Sequence, residues 1–565
     1  MKRLPDGRVI FETPAEVPPV AMSYASTAWN RTGDWRSREP AFRDLTSPCA
    51  AACPAGQDVV DQIRLFAQGR VREAGEVILS ANPFPATTGR VCPHPCDAAC
   101  NRGRMDGALD IPGVERALGD ALLSGRVELA VRRGGKARVA VVGAGPAGLT
   151  AAHFLALAGH RVTLYAREDR PGGLLRTGIP PYRLPRGVLD AEVERALRPG
   201  VRFEGGRALG DGLDLARLGG ESDAVLLAIG RHAPRCLGVP GEEAPGVVDG
   251  LALLEALHGG EPAPAGDRVV VVGGGNTALD CARSLLRRGR KVTVAYRRGR
   301  EEMPAFGDEV EEAIEEGVAV EVWALPVEVR SRGGRIRGLR LVRARPGEKD
   351  ASGRARPEPV AGSDFELPAD LVVVAAGESL DAAALPGALV RDGAVAVPAD
   401  RQGAGGVFAC GDCAGGGGTV AHAIGAGRRA AAELCAILGG EPPAVDLLAA
   451  RGASPAVAGF ERIRPAWFDP AVPHPRGRAE AAARRLGDAE VRLGYEAASA
   501  MAEAGRCLAC GTCTGCDNCY QLCPDRAVVR AGPGGYRADT SRCKGCGVCS
   551  EECPRGAIEL CEVGA

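Results

Sequence analysis

Two stretches of this sequence repeat one pattern, and the pattern decides the fold. Residues 137–168 read ARVAVVGAGPAGLTAAHFLALAGHRVTLYARE, and residues 267–298 read DRVVVVGGGNTALDCARSLLRRGRKVTVAYRR. Each begins with an apolar run that does not alternate, as expected of a strand buried on both faces. Each then passes through a glycine-rich turn into an amphipathic helix and ends on a second Val-rich strand. The second strands end at matching distances from the first glycine, Gly143 to Ala166 and Gly273 to Tyr296. A chain carrying two such βαβ units is committed to an α/β fold with two dinucleotide-binding sheets.

In the first unit Gly143, Gly145 and Gly148 complete G-x-G-x-x-G. The first glycine makes the tight turn, the second lets a pyrophosphate approach the backbone, and the third lets helix pack on strand. The helix N-terminus then offers free N–H groups and a positive dipole end to phosphate. The second unit carries Gly273, Gly275 and Ala278, and alanine is accepted at the third place. Its second strand ends Tyr296-Arg297-Arg298, with no acid for a ribose 2′-hydroxyl. A guanidinium binds a 2′-phosphate that a carboxylate would repel, so Arg297 and Arg298 favour NADPH over NADH.

Two further buried strands, DAVLLAIG and DLVVVAAG, end in turns at Gly230 and Gly377. A later stretch, VFACGDCAGGGGTVAHAIGAGRRAAAELCAIL, reads as strand, glycine turn and long helix. The simplest architecture inserts the second unit into the first: 136–265 for the first, 266–375 for the second, and 376–440 for the return of the first. Gly411-Asp412, ahead of Gly425 and Gly427, then places Asp412 and the start of the helix against the first nucleotide. Cys410 and Cys413 form a C-x-x-C there, and they read as buried thiols in a turn, not as a redox disulfide. Residues 1–45 form an N-terminal extension. Residues 46–135 carry short helical stripes such as VVDQIRLFAQGRVREAGEVIL. Residues 441–505, rich in Pro, Ala and Arg, read as a linker wrapping the surface, and 506–565 as a compact cysteine module.

The 21 cysteines are grouped, five between Cys49 and Cys100 and ten between Cys507 and Cys553. Their spacings point to metal ligation in a reducing compartment. The start, MKRLPDGRVIFETPAEVPP, has no apolar signal core and reads as cytoplasmic. No apolar run approaches the roughly 20 residues of a membrane span. Lys+Arg 70 against Asp+Glu 71 argues against a general nucleic-acid binder. Cys543, Cys546, Cys549 and Cys553 run C-x2-C-x2-C-x3-C-P, and Cys513, Cys516, Cys519 and Cys523 repeat the run. This is the bacterial two-cluster ferredoxin pattern, in which the fourth cysteine of each run serves the other cluster. Two matched runs, each ending in C-P, favour iron–sulfur clusters over a pair of zinc sites. Cys49, Cys53, Cys92, Cys96 and Cys100 suffice for one [4Fe–4S] cluster, and Cys507 and Cys510 are left over.

These motifs, in this order, resemble the family of the small (β) subunit of NADPH-dependent glutamate synthase, which includes the flavin half of dihydropyrimidine dehydrogenase. The stretches that carry the resemblance are NPFPATTGRVCPHPC, VAVVGAGPAGL, RPGGLLRTGIPPYRLP, GGGNTALD, YRRGREEMPA and VFACGDCAGGGGTVAHAIGAGRRAA. The tail GRCLACGTCTGCDNCYQLCPD is similar to the ferredoxin-type subunits of 2-oxoacid:ferredoxin oxidoreductases. The resemblance implies FAD in the first unit, NADPH in the second, and [4Fe–4S] clusters that relay electrons to a partner. It also implies Gly173, Arg183, Asn276, Thr277, Thr419 and Val420 as cofactor contacts.

Three departures stand out. The family's Glu at the end of the second flavin-unit strand is Ala166 here, with Glu168 or Asp169 to substitute. The family's early R-C-x-x-C is missing before Cys49, while RCLAC appears at 506–510. Cys507 and Cys510 are therefore expected to fold back and join Cys49 and Cys100, leaving Cys53, Cys92, Cys96 and Glu115 for a second cluster. The ferredoxin tail is absent from the glutamate synthase subunit itself.

The expected fold is thus α/β, with two Rossmann-like domains preceded by a helical iron–sulfur domain and followed by a 2[4Fe–4S] ferredoxin-like domain. The expected activity is NAD(P)H-dependent electron transfer as a subunit of a larger complex, either a 2-oxoacid oxidoreductase or a glutamate synthase-like enzyme. The alternative is a free-standing NADPH:ferredoxin oxidoreductase. Because the cofactors carry the chemistry, no catalytic side chain is assigned. A disulfide reductase would need a partner for Cys236 or Cys281, and neither has one in a C-x-x-C or C-x4-C.

Overall fold

The computed structural model describes residues 2–5, 9–17, 31–125, 127–131, 134–350, 353–397, 406–442, 452–532 and 535–563. Residues 18–30 of the extension and 443–451 of the expected linker lie outside the described residues.

The first sheet is parallel throughout. Its order is Gly406–Ala409, Ala224–Leu227, Arg138–Val142, Arg161–Tyr165 and Arg202–Glu204. The strand furthest along the chain thus pairs beside Ala224–Leu227, across the whole inserted unit. Val139, Val141, Leu226 and Leu164, all nearly fully buried, form the core under the helix Pro146–Leu157.

The second sheet has the same parallel build, with Val247–Asp249, Leu371–Val374, Arg268–Val272, Lys291–Ala295 and Ala319–Glu321 in that order. This moves the expected boundary at 265. Val247–Asp249 and the helix Gly250–His258 pack in the second unit, since Val247 and Val248 pair with Val372 and Val373. Three residues after a left-handed glycine are too short a run to show as a strand in sequence. Chain entry and exit between the units run side by side as the antiparallel pair Ala233–Pro234 and Glu378–Ser379. The sequence also gave no sign of the three-stranded antiparallel sheet Ala324–Arg332, Arg335–Lys349 and Ala355–Pro368. One face buries Val329, Ile336, Leu339 and Leu341 against Val270, Val272 and Val372 of the second sheet, but bulges and charged outer residues interrupt the alternation along the strands.

The N-terminal region is helical. Asp58 caps Val59–Ala67 by accepting from Asp61 N at 3.1 Å, and Asp110 caps Ile111–Ser124 from Gly113 N at 3.1 Å. Helices Pro85–Val91 and Ile111–Ser124 cross backbone to backbone. A Cβ on Gly119 would fall 2.3 Å from Ala86 N. The late helix Ala497–Gly505 completes this core with Ala500 and Ala504. At the other end Ile558–Glu562 pairs antiparallel with Arg38–Phe42, so the ferredoxin-like module is stitched to the start of the chain.

Candidate active site and thiol centres

Local sterics separate the roles of the three glycines in the first unit. Gly143 has φ +110°, and a Cβ there would lie 2.2 Å from Ala228 O. A Cβ on Gly148 would lie 1.8 Å from Gly143 O. The fold itself requires both. Gly145 is different, because a Cβ there would meet no protein atom within 4 Å. The space it leaves lies at the N-terminus of the helix Pro146–Leu157, where unpaired N–H groups favour phosphate. That space belongs to a cavity of about 330 Å³. Of the expected contacts, Gly143, Gly145, Glu168, Gly173, Asp412, Thr419 and Val420 line it. Asp412 accepts from Gly418 N at 3.1 Å, and Thr419 caps the helix Val420–Leu438. Gly411 does not line the cavity and instead makes its turn at φ +76°. Ala166 and Glu168 both face the cavity, whereas Asp169 packs beside Gly205 and Gly206. Of the two candidate substitutes for the missing acid, Glu168 is the one in place.

The second unit repeats the arrangement. Gly273, at φ +151°, would bring a Cβ within 2.2 Å of Ala375 O, while a Cβ on Gly275 would again meet nothing within 4 Å. The loop after the second strand folds over the turn: Ala305 N donates to Gly274 O at 3.1 Å and Phe306 N to Asn276 Oδ1 at 3.2 Å. Thr277 hydrogen-bonds Glu378 at the crossing between the units. The two arginines part company here. Arg297 is exposed, but Arg298 is buried, donating from Nε to Ala355 O at 2.8 Å and pairing through Nη2 with Asp350. Only Arg297 is left facing outward from the pair.

Arg183, expected at a cofactor, is placed elsewhere. It is buried in an ion-pair network between the two units, 2.7 Å from Asp280 Oδ2 and 3.1 Å from Glu309 Oε1, and it does not line the cavity. A buried guanidinium needs paired charge, and the second unit supplies two carboxylates.

The cysteine thiols fall into four sets by which of them act on one another electrostatically. Cys49 feels Cys100, Cys507 and Cys510. Cys96 feels Cys53 and Cys92 but also Cys49 of the first set, and Glu115 acts on Cys53, Cys92 and Cys96. Cys519 feels Cys513, Cys516 and Cys553 most closely, and Cys549 feels Cys523, Cys543 and Cys546. Burial is the first cause of each shift. It pushes Cys507 up to about 11, and Cys510, Cys519 and Cys549 up to about 12. Several sulfurs also accept hydrogen bonds: from Ala509 N to Cys507 at 3.4 Å, Asn101 Nδ2 to Cys510 at 3.3 Å, Ala527 N to Cys523 at 3.2 Å, and Ala557 N to Cys553 at 3.3 Å. Cys507 and Cys510 accept hydrogen bonds yet resist ionisation, which suits a cationic centre that would stabilise their thiolates. Among the described residues no three or more His, Cys, Asp or Glu side chains are arranged to hold a metal ion.

Glu115 stands at the open side of the Cys53, Cys92 and Cys96 set. Its Oε1 accepts from Gln57 Nε2 and Asn82 Nδ2 at 3.2 Å each and from the Thr88 hydroxyl. Its Oε2 lies 3.9 Å from His94 Nδ1. Burial raises its carboxyl to about 7.

This set also adjoins the first cradle. Cys53 and Cys92 pack against the first sheet's core. A Cβ on Gly425 would lie 2.1 Å from Pro54 O, so the helix Val420–Leu438 touches the peptide after Cys53. Its Arg428 donates to Gly56 O at 3.1 Å.

The sequence pattern described as pyridine nucleotide-disulphide oxidoreductase matches residues 137–427, just over half of the 565-residue chain. The chain belongs to this family. Within this oxidoreductase, residues 43–126 match dihydropyrimidine dehydrogenase domain II with its 4Fe-4S cluster, and residues 536–559 match a 4Fe-4S binding domain. These matches make it an oxidoreductase with places for FAD, a nicotinamide dinucleotide and 4Fe–4S clusters, as the motifs and the resemblance implied. NADP(+)-dependent formate dehydrogenase subunit beta of Moorella thermoacetica is 37% identical over 508 residues, covering 82% of this chain and 71% of that protein. NADPH-Fe(3+) oxidoreductase subunit beta of Geobacter sulfurreducens is 39% identical over 350 residues, covering 60% of this chain and 52% of its own length. Glutamate synthase [NADPH] small chain of Escherichia coli is 37% identical over 347 residues, covering 58% and 73%. This chain thus spans about half the length of the Geobacter relative.

The disulphide in the family's description has no counterpart at Cys410 and Cys413. Both are buried free thiols, Cys410 in the core under Pro146–Leu157 and Cys413 in the core of the sheet's other face. Among the described residues no helix is long and apolar enough to cross a membrane.

Proposed function

We propose that this oxidoreductase takes electrons from NADPH and delivers them, as one subunit of a larger complex, to a partner bearing the final acceptor. Bound FAD and NADPH supply hydride transfer, and bound [4Fe–4S] clusters supply one-electron steps. The residues' work is placement. Gly145 and Gly275 leave room for pyrophosphate at two helix N-termini. Glu168 faces the first cavity where a ribose hydroxyl is held, and Arg297 offers its guanidinium to a 2′-phosphate. The four ligand sets are Cys53, Cys92, Cys96 and Glu115; Cys49, Cys100, Cys507 and Cys510; Cys513, Cys516, Cys519 and Cys553; and Cys523, Cys543, Cys546 and Cys549.

The observation that carries this reading is continuity. The set nearest the first cradle touches its closing helix, and each set is tied to the next by short peptides: Cys49 to Cys53 and Cys96 to Cys100, then Cys510 to Cys513, then Cys519 to Cys523 and Cys549 to Cys553. The relatives named as beta subunits or a small chain support a partner subunit.

The test is anaerobic purification of the tagged chain from its host, followed by addition of NADPH. We expect the flavin absorbance to bleach, reduced-cluster EPR signals to appear, and a stoichiometric larger subunit to co-purify. A solitary chain that reduces ferredoxin would replace the complex with a free-standing oxidoreductase. A flavin that NADPH leaves oxidised would end the reading.

A further inference from the structure

Residues 470–495 look in sequence like a wrapping linker, yet they lie where three parts of the molecule meet. Three consecutive residues each hold a different part. Glu490 accepts from Arg90 Nε and from Arg116 Nη2, both at 2.8 Å, on the two helices that frame Glu115. Val491 N donates to Tyr182 O at 3.0 Å in the first dinucleotide unit. Arg492 Nε donates to Glu312 Oε1 at 2.8 Å, and its Nη2 lies 3.5 Å from Glu309, both on the helix Gly307–Glu316 of the second unit. Farther along, Arg484 pairs with Glu315 of the same helix at 2.8 Å.

The first unit reaches into the same junction. Tyr182 is buried with the Arg287 guanidinium 3.7 Å above its ring, and Arg183 bridges Asp280 and Glu309. Glu309 therefore receives Arg183 from one unit, Arg492 from the strap and Arg283 from its own unit. Such interlocked buried pairs tolerate few relative positions, because moving either body leaves a buried charge unpaired. Besides these pairs, the units meet at the crossing Ala233–Pro234 with Glu378–Ser379 and where His258 Nδ1 donates to Thr177 O at 2.7 Å.

We propose that Glu490, Val491 and Arg492 form a clasp that fixes the second dinucleotide unit against the first, and that Arg492 is thereby a positioning residue for hydride transfer. The inference rests on the NADPH-to-flavin reading above. Hydride transfer needs its reacting atoms about 3–3.5 Å apart, and a displacement near 1 Å costs up to about a hundredfold in rate. A clasp whose residues do not line the first cavity controls that rate by holding the orientation of the unit that carries the nicotinamide.

The experiment is anaerobic stopped-flow reduction of the holoprotein by NADPH, with amide exchange of Gly307–Glu316 measured on the same samples. Arg492→Met should slow the limiting first-order flavin reduction about tenfold or more. Iron and flavin content and the EPR spectrum after dithionite should be unchanged, and exchange in the helix should rise. Arg492→Lys, which keeps one charge but not the fork, should recover part of the rate. If Arg492→Met fails to fold, Glu490→Gln decides, since its carboxylate is 20% exposed and anchors the clasp to the N-terminal helices through Arg90 and Arg116. Wild-type rate and exchange in Glu490→Gln, or in Arg492→Met where it folds, would overturn the clasp. A wild-type protein whose flavin NADPH does not reduce would overturn the functional reading instead, and helix exchange in the variants would still judge the clasp.

Discussion

Cys510 and Cys513 are separated by two residues but face different thiol sets. Cys510 stands with Cys49, Cys100 and Cys507, and Cys513 with Cys516, Cys519 and Cys553. One short peptide therefore joins the N-terminal centres to the ferredoxin-like module. Cys510→Ser should remove about four of about sixteen irons per chain while flavin content holds. Iron and flavin assays on the purified variant check this, and a full iron complement would remove Cys510 from the ligand set.

The glycines of the first cradle should respond in opposite ways. Gly145→Ala adds its Cβ only to open space, so the FAD-free protein should change by no more than about 0.5 kcal/mol while FAD binding weakens. Gly148→Ala forces a Cβ onto Gly143 O and should cost about 1–3 kcal/mol with or without FAD. Melting curves of FAD-loaded and FAD-stripped protein separate the two.

Two buried histidines set an acid limit on stability. Burial lowers His153 and His258 to about 4 each, and each donates from Nδ1 to a carbonyl, Ala196 O at 2.9 Å and Thr177 O at 2.7 Å. Unfolded histidine takes up its proton near 6.5, so the unfolded chain binds more protons than the folded one between pH 6.5 and 4. Both contributions are intact above about pH 6.5 and are lost as pH falls toward 4, each by roughly 1 kcal/mol per pH unit. His258→Gln should flatten the fall in a series of urea titrations across that range. An unchanged slope would remove His258 from the account.

Arg297 and Arg298 should separate into selectivity and support. Arg297→Ala should weaken NADPH binding about tenfold, or about 1.4 kcal/mol, and leave NADH unchanged. Arg298→Ala removes the buried guanidinium that pairs with half-buried Asp350 and donates to Ala355 O, and should lower the melting temperature as well as both affinities. Titrations with each nucleotide against both variants distinguish these patterns.

Some of this molecule was legible in sequence because its signals are local. G-x-G-x-x-G and C-x2-C-x2-C act over a few residues, so spacing along the chain is already spacing in space. The surplus of Cys507 and Cys510 also pointed to a distant set, because the count near Cys49 fell short. Other features were hidden. The strand Val247–Asp249 is too short to show periodicity, and in the antiparallel sheet bulges break the alternation that buries Val329, Ile336, Leu339 and Leu341. The roles of Arg183 and Arg298 depend on Asp280, Glu309 and Asp350, remote carboxylates that no spacing announces. The clasp at 490–492 is invisible for the same reason, since arginine and glutamate at ordinary frequency carry no period.

The pairing of Cys49 and Cys100 with Cys507 and Cys510 also orders events at the ribosome. Cys510 is made about 460 residues after Cys49, a delay of roughly 20–90 seconds at about 5–20 residues per second. Through that interval the N-terminal thiols exist without half their set, while the dinucleotide units between them are already free to fold. On the ligand set proposed above, loading of this centre follows translation and waits for the tail to return. A nascent chain stalled before residue 507 would present Cys49 and Cys100 as oxidisable thiols, which makes delivery of iron and sulfide a step of maturation and not of synthesis.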